Sequence, residues 1–236
     1  MEAAMAETPI DRRRVYRIGG SAAIAGAILG GVGNLLHPVT PIDDPEGVAR
    51  VIAESEIWIP VHLVIVLGIG LMLGGLVALY HSIQGGVGGV LARFGLFVGV
   101  AGVTIGLVLV ILDGVAARQL AEEWAAAPPG EQPVSLGLVH ANETINFALA
   151  SLFNLVFAGV TFILFGLAVA LSDVFPRWLG WVVVVAGASS IGASLIQAFT
   201  GEPTDASRVL TILGPTVITL WLLVIGVLLV RKARQP

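Results

Sequence analysis

The sequence predicts an all-α membrane protein, a six-transmembrane-helix bundle with both termini cytoplasmic and short external interfacial helices in its first and third loops. Three observations carry that prediction. Apolar residues make up 56% of the chain and charged residues only 12%, with a mean hydropathy of +0.95, whereas soluble domains are roughly a quarter charged. Six apolar runs are each long enough to cross a bilayer. The basic residues are sorted along the chain by loop rather than scattered. The division that follows is a cytoplasmic N-terminal tail at 1–16, a transmembrane domain at 17–231 and a cytoplasmic C-terminal tail at 232–236.

The first run, 18–36, follows Arg12, Arg13, Arg14 and Arg17. The adjacent arginines weakly resemble a twin-arginine export signal, but the long run and the five spans behind it favour an uncleaved first helix. Asp44-Pro45-Glu46 reads as an N-cap with proline at the first helical position, opening a short helix to about Ser55. The second and third runs cover 58–83 and 90–112, joined by the glycine-rich turn 84–89. A segment over 115–127 suits an interfacial helix with Leu120 and Trp124 on one side, stopped by Pro128-Pro129-Gly130. The remaining runs are 145–171, 178–199 and 209–230, the fifth preceded by a tight turn at 172–177.

With the N-terminus inside, the inner side carries Arg12, Arg13, Arg14, Arg17, Arg93, Arg177, Arg231, Lys232 and Arg234. The outer side carries only Arg50, Arg118 and Arg208. Excess arginine and lysine marks cytoplasmic loops, so both termini are expected in the cytoplasm of a cell (inner or plasma) membrane. Acidic residues run the other way: Asp43, Asp44, Glu46, Glu54, Glu56, Asp113, Glu122, Glu123, Glu131, Glu143, Glu202 and Asp205 all fall outside. The outer face is therefore negative, which serves solubility as well as cation gathering.

The stretch richest in functional content is His140-Ala-Asn-Glu-Thr-Ile-Asn146. At 100° per residue Glu143, Asn146, Asn154 and Thr161 share one stripe, with His140 at its edge. An ionisable group entering a span faces protein or a wet cavity, not lipid. Glycines supply the packing faces: Gly19, Gly26, Gly30 and Gly33 share an arc ending at His37, and Gly95, Gly99, Gly102 and Gly106 one ending at Asp113. If these faces point inward, His37 and Asp113 meet His62, Glu143 and Asn146 near the outer end, with Gln197 at similar depth. The candidate ligand-binding residues are thus His37, His62, Asp113, His140, Glu143, Asn146, Asn154 and Gln197, and no catalytic residue is assigned. Each also has a structural reading, as a helix-end group or an interhelical hydrogen bond.

The absence of cysteine excludes disulfides, iron–sulfur clusters, thiolate metal sites and cysteine nucleophiles. His37, His62, His140 and Glu143 are candidate zinc ligands, and His140 with Glu143 has the i, i+3 spacing that puts both on one face. No HExxH or other zinc signature occurs, so no cofactor is expected outright. Haem is disfavoured because His81, at the far end of the helix from His62, has no partner. The glycines of 84–89 lack the context of a phosphate-binding loop, and no nucleic-acid partner is expected. The partners expected are the lipid bilayer and, through the glycine faces, a second copy of the chain.

Trp58 to His62 with the following Leu79-Tyr80, then Leu112-Asp113-Gly114-Val115-Ala116, and Phe175-Pro176-Arg177-Trp178-Leu179-Gly180-Trp181 together resemble a group of uncharacterised bacterial six-helix integral membrane proteins. The resemblance covers most of 17–234 and implies the fold without a mechanism. Three readings of function stay open. The first is a binding or accessory module with an outward-facing polar cavity for a small polar or lipid-like ligand. The others are a metal-dependent membrane enzyme acting at the outer leaflet and a small transporter, the last opposed by the lack of charge at the midplane.

Overall fold

The computed structural model describes residues 11–41, 44–201 and 204–235, with only the backbone of Arg208. Residues 1–10 of the expected tail, Asp43 and Glu202, and the side chain of Arg208, lie outside the described residues. Among the described residues there is no strand, and six helices are long and apolar enough to cross a membrane: Arg12–Leu36, Trp58–Ser82, Gly86–Ala126, Gln132–Ala170, Arg177–Thr200 and Asp205–Ala233. This is the architecture of a multi-pass membrane protein. Large apolar side chains such as Phe94, Phe97, Val185 and Leu220 stand exposed on it, as lipid-facing residues do and as a water-soluble surface rarely tolerates.

Several helices reach beyond their apolar runs, because capping and packing outside the hydrocarbon extend them. Helix α1 (Arg12–Leu36) takes in the four arginines, since the Asp11 side chain accepts the Arg14 N–H and caps it. Helix α2 (Pro45–Glu54) is capped by Asp44, which accepts from the Gly47 N–H. Helix α3 (Trp58–Ser82) is followed by α4 (Gly86–Ile111). A π segment, Leu112–Ala116, joins α4 without interruption to α5 (Ala117–Ala126), so the helix expected over 115–127 is an extension of the third span. Helix α6 (Gln132–Phe153) begins well before the apolar run at 145, and a second π segment, Asn154–Thr161, carries it into α7 (Phe162–Ala170). Helix α8 (Arg177–Thr200) and α9 (Asp205–Ala233) follow, α9 opened by a capping box between Thr204 and Ser207.

In lipid, helices associate through close packing rather than burial from water, so small residues set where they touch. A Cβ on Gly26 of α1 would lie 2.7 Å from the Met72 nitrogen and 2.8 Å from the Gly68 carbonyl oxygen of α3. On α4, a Cβ at Gly102 would lie 2.8 Å from the Phe157 Cα. Both expected glycine faces are therefore filled from within the chain. Helix α1 packs on α3 and α9, α4 on α3, α7 and the second π segment, and α8 on α7 and α9. Leu76, Phe162, Phe165, Leu222 and Leu229 form the fully buried centre.

Helices α2 and α5 cap one end. Val48, Ile52, Trp58, Ala117 and Ala121 make a small second core there. The Arg118 guanidinium fixes it, donating to the carbonyls of Ile52 at 2.7 Å and Ser55 at 2.8 Å while pairing with Glu122. The buried face of α5 is thus its alanine face against α2, with Leu120 and Trp124 only half-buried. At the other end Lys232 lies over the rings of Tyr16 and Phe175, at 5.9 and 5.7 Å, bringing the two ends of the described chain together.

Candidate functional site

Three side chains from three separate elements converge under the cap. His37 follows the last turn of α1, His62 lies one turn into α3, and Asp113 sits in the first π segment. His37 Nε2 and His62 Nε2 are 3.2 Å apart, His62 Nε2 and Asp113 Oδ2 3.1 Å, and His37 Nε2 and Asp113 Oδ2 3.8 Å. These three atoms are the one group of candidate metal ligands that the described residues bring together. A tetrahedral metal with bonds near 2.0–2.1 Å has ligand–ligand edges of about 3.3 Å, and the triangle fits that size.

The surroundings decide what each imidazole offers. His62 Nδ1 lies 2.6 Å from the Trp58 carbonyl oxygen, and His37 Nδ1 2.9 Å from that of Pro38. A carbonyl only accepts, so Nδ1 carries the hydrogen in both rings and each neutral Nε2 presents a lone pair. Two lone pairs and a carboxylate oxygen thus face a common point, an arrangement that requires a proton or a metal cation between them. Carbonyl-bound Nδ1–H groups are also the usual outer support of histidine metal ligands.

The local sequence builds this geometry. The Trp58 indole Nε1–H donates to the Asp113 backbone carbonyl at 2.9 Å, linking the start of α3 to the π segment. Gly114 leaves the space that the His62 ring fills. The His37 ring meets the rings of Trp58 and His62 edge-on, with centroids 5.1 and 4.8 Å apart. Asn146 Nδ2 donates to Asp113 Oδ1 at 3.4 Å, turning Oδ2 toward the histidines. At His37, burial works against the charged form, but the hydrogen bond and charge of Asp113, with the Pro38 carbonyl, outweigh it and raise its pKa above the ordinary 6.5.

Beside the trio, Glu143 lies within electrostatic reach of Asp113 and His37. Among the described residues its Oε1 is buried without a hydrogen-bond partner, as is Asn146 Oδ1. Glu143 and His37 both line a cavity of about 990 Å³ that extends past Asn34, Phe147, Ala150, Gln197 and Thr211 to Asn154. Gln197 donates to the Phe147 carbonyl at 3.0 Å, and Asn154 is 6% exposed at the deep end.

Of the residues singled out in the sequence, His37, His62, Asp113, Glu143 and Asn146 are brought together, while Asn154 and Gln197 line the cavity. His140 lines its rim, exposed and apart from the trio. Thr161, at the end of the second π segment, is fully buried against Gly99 of α4. Trp58 and Gly114 carry functions of support that no periodicity reveals, although both stand in the motifs quoted for the family resemblance. A family model described as a domain of unknown function (DUF4386) matches residues 18–226. No curated protein and no solved structure matches the chain.

Proposed function

The chain belongs to the DUF4386 family, a domain of unknown function, and from its site we propose that it is a membrane protein binding a divalent first-row metal, zinc foremost, through His37, His62 and Asp113. The observation that carries this is the pair of Nε2 lone pairs 3.2 Å apart with a carboxylate oxygen beside them. Two imidazoles and one carboxylate suit zinc, and also ferrous iron. Among the described residues three protein groups meet, which makes the site of the open kind, with a position left for water or a ligand. The cavity beside it is the ligand chamber of this binding module. The arginine and lysine asymmetry supports placing both termini in the cytoplasm, with cap, trio and cavity on the outer side of a plasma membrane.

The test is metal analysis of protein purified in detergent, before and after incubation with zinc. One metal per chain is expected, and its loss in His62→Ala with helicity retained. Wild-type protein that holds no metal after incubation refutes the reading, and a bound metal that survives His62→Ala places the site elsewhere.

A further inference from the structure

Resting on that metal-site reading, we propose a catalytic activity: hydrolysis of an acyl ester in a membrane amphiphile, with Glu143 as general base to a zinc-bound water. His62 and Asp113 approach the trio from the wall, whereas His37 and Glu143 also line the cavity. The ligand position left open by three protein groups therefore lies on the cavity side, beside Glu143. Glu143 Oε1 is buried and accepts no hydrogen bond among the described residues, so it is free to accept from that water as a base does. Asn146 Oδ1, also buried and unpartnered, is a second acceptor to hold the water in place.

The chamber fixes the substrate class. Glu143, Phe147 and Ala150 of α6 and Asn154 at the start of the second π segment line the chamber one after another, and the eleven steps from Glu143 to Asn154 cover about 16 Å at ~1.5 Å per residue. Phe147 and Ala150, with Val139 and Val48 nearer the trio, give an apolar wall. Ile212, also part of the lining, is exposed on α9, so the chamber reaches the surface of the bundle, where an amphiphile could enter. A molecule with its carbonyl at the trio and its chain along α6 matches that distribution. Zinc held by His37, His62 and Asp113 would polarise the attacking water; Glu143 takes a proton from that water, and the water's oxygen adds to the ester carbonyl carbon. The carbon–alkoxide bond then breaks as Glu143 returns the proton to the leaving oxygen. One ester and one water become one carboxylic acid and one alcohol, with no change of oxidation state.

The experiment uses full-length protein in detergent, loaded with zinc, and measures zinc content alongside hydrolysis of 4-nitrophenyl acetate and 4-nitrophenyl octanoate. Hydrolysis is expected to disappear when zinc is stripped and to return when it is restored. Glu143→Gln should keep one zinc per chain and lose at least about a hundredfold in turnover, the lower range for a general base. Ala150→Phe, which narrows the chamber away from the metal, should slow the octanoate more than the acetate. Zinc-loaded protein no faster than stripped protein, or a fully active Glu143→Gln, overturns the proposal while leaving the metal site intact. Loss of zinc in Glu143→Gln makes Glu143 a ligand and overturns its role as base. Equal slowing of both esters by Ala150→Phe removes the acyl-chain assignment. Wild-type protein that binds no zinc removes the metal reading itself.

Discussion

Gly114 and His62 are in direct apposition: a Cβ at position 114 would lie 2.7 Å from the His62 Cβ and 2.9 Å from its Cγ. The imidazole of α3 rests on the bare backbone of the π segment. Asp113, the neighbouring residue, is thereby presented to the same ring. A π segment at this point turns a transmembrane helix into a site-forming element, as such segments often do.

Gly114→Ala is therefore expected to push His62 out of the trio. Zinc affinity should fall by about 10- to 100-fold, the range seen when support of a metal ligand is lost. Gly137→Ala, where an added Cβ meets nothing within 4 Å, is the matched control and should bind as wild type. Competition with a chromogenic chelator measures both. Equal affinities mean that His62 does not contribute to the metal site.

How much of this was readable in advance depends on the residue. The six spans follow from the apolar runs alone, and the convergence of His37 and Asp113 follows from the glycine arcs that end at them. Helix extensions such as 117–126 and 132–144 do not, because outside the hydrocarbon length no apolar run marks them; tertiary packing on α2 and α4 stabilises them instead. The π segments carry no local signal either. Side chains drawn from three elements make no sequence motif, so the spacing of His37, His62 and Asp113 carries no metal signature. The Trp58 indole bond to the Asp113 carbonyl joins residues 55 positions apart, beyond any periodicity.

The glycine packing predicts a graded response. Gly102→Ala places a methyl 2.7 Å from the Phe157 Cβ and 2.8 Å from its Cα, where backbone has to move; at Gly99 the nearest atom is a Thr161 methyl at 3.2 Å. Gly102→Ala should cost about 1–3 kcal/mol, as overpacking does, and Gly99→Ala less. Val100, exposed between them, should accept leucine within about 0.5 kcal/mol. Thermal unfolding in detergent ranks the three. Equal stability of Gly102→Ala and Val100→Leu means that α4 does not pack through this face.

Topology is open to a direct assay because the chain contains no cysteine. Single cysteines at Glu56 and Glu131, both exposed at the cap end, should react with a membrane-impermeant maleimide added to intact cells. Gln84→Cys, exposed on the turn between α3 and α4, should react only after permeabilisation. The reverse pattern inverts the orientation and places the cavity on the cytoplasmic side.

The last expectation concerns protons in the metal-stripped protein. Burial lowers the pKa of His37, but Asp113 and the Pro38 carbonyl raise it by more, so the folded value lies above the ordinary 6.5. The groups facing it are His62, Asp113 and Glu143. Below about pH 6.5 both folded and unfolded chains hold the proton, and the His37–Asp113 attraction contributes fully. Between that pH and the raised folded value the unfolded chain has lost its proton while the folded one keeps it, so stability declines as pH rises. Above the folded value the contribution is gone. A zinc ion replaces that proton, so in loaded protein this contribution should no longer fall with rising pH, because metal binding improves as imidazole deprotonates. Thermal unfolding in detergent from pH 5.5 to 8.5, stripped against loaded and with His37→Gln as reference, measures the difference. Stripped wild-type protein whose pH dependence equals that of His37→Gln shows that His37 gains nothing from Asp113.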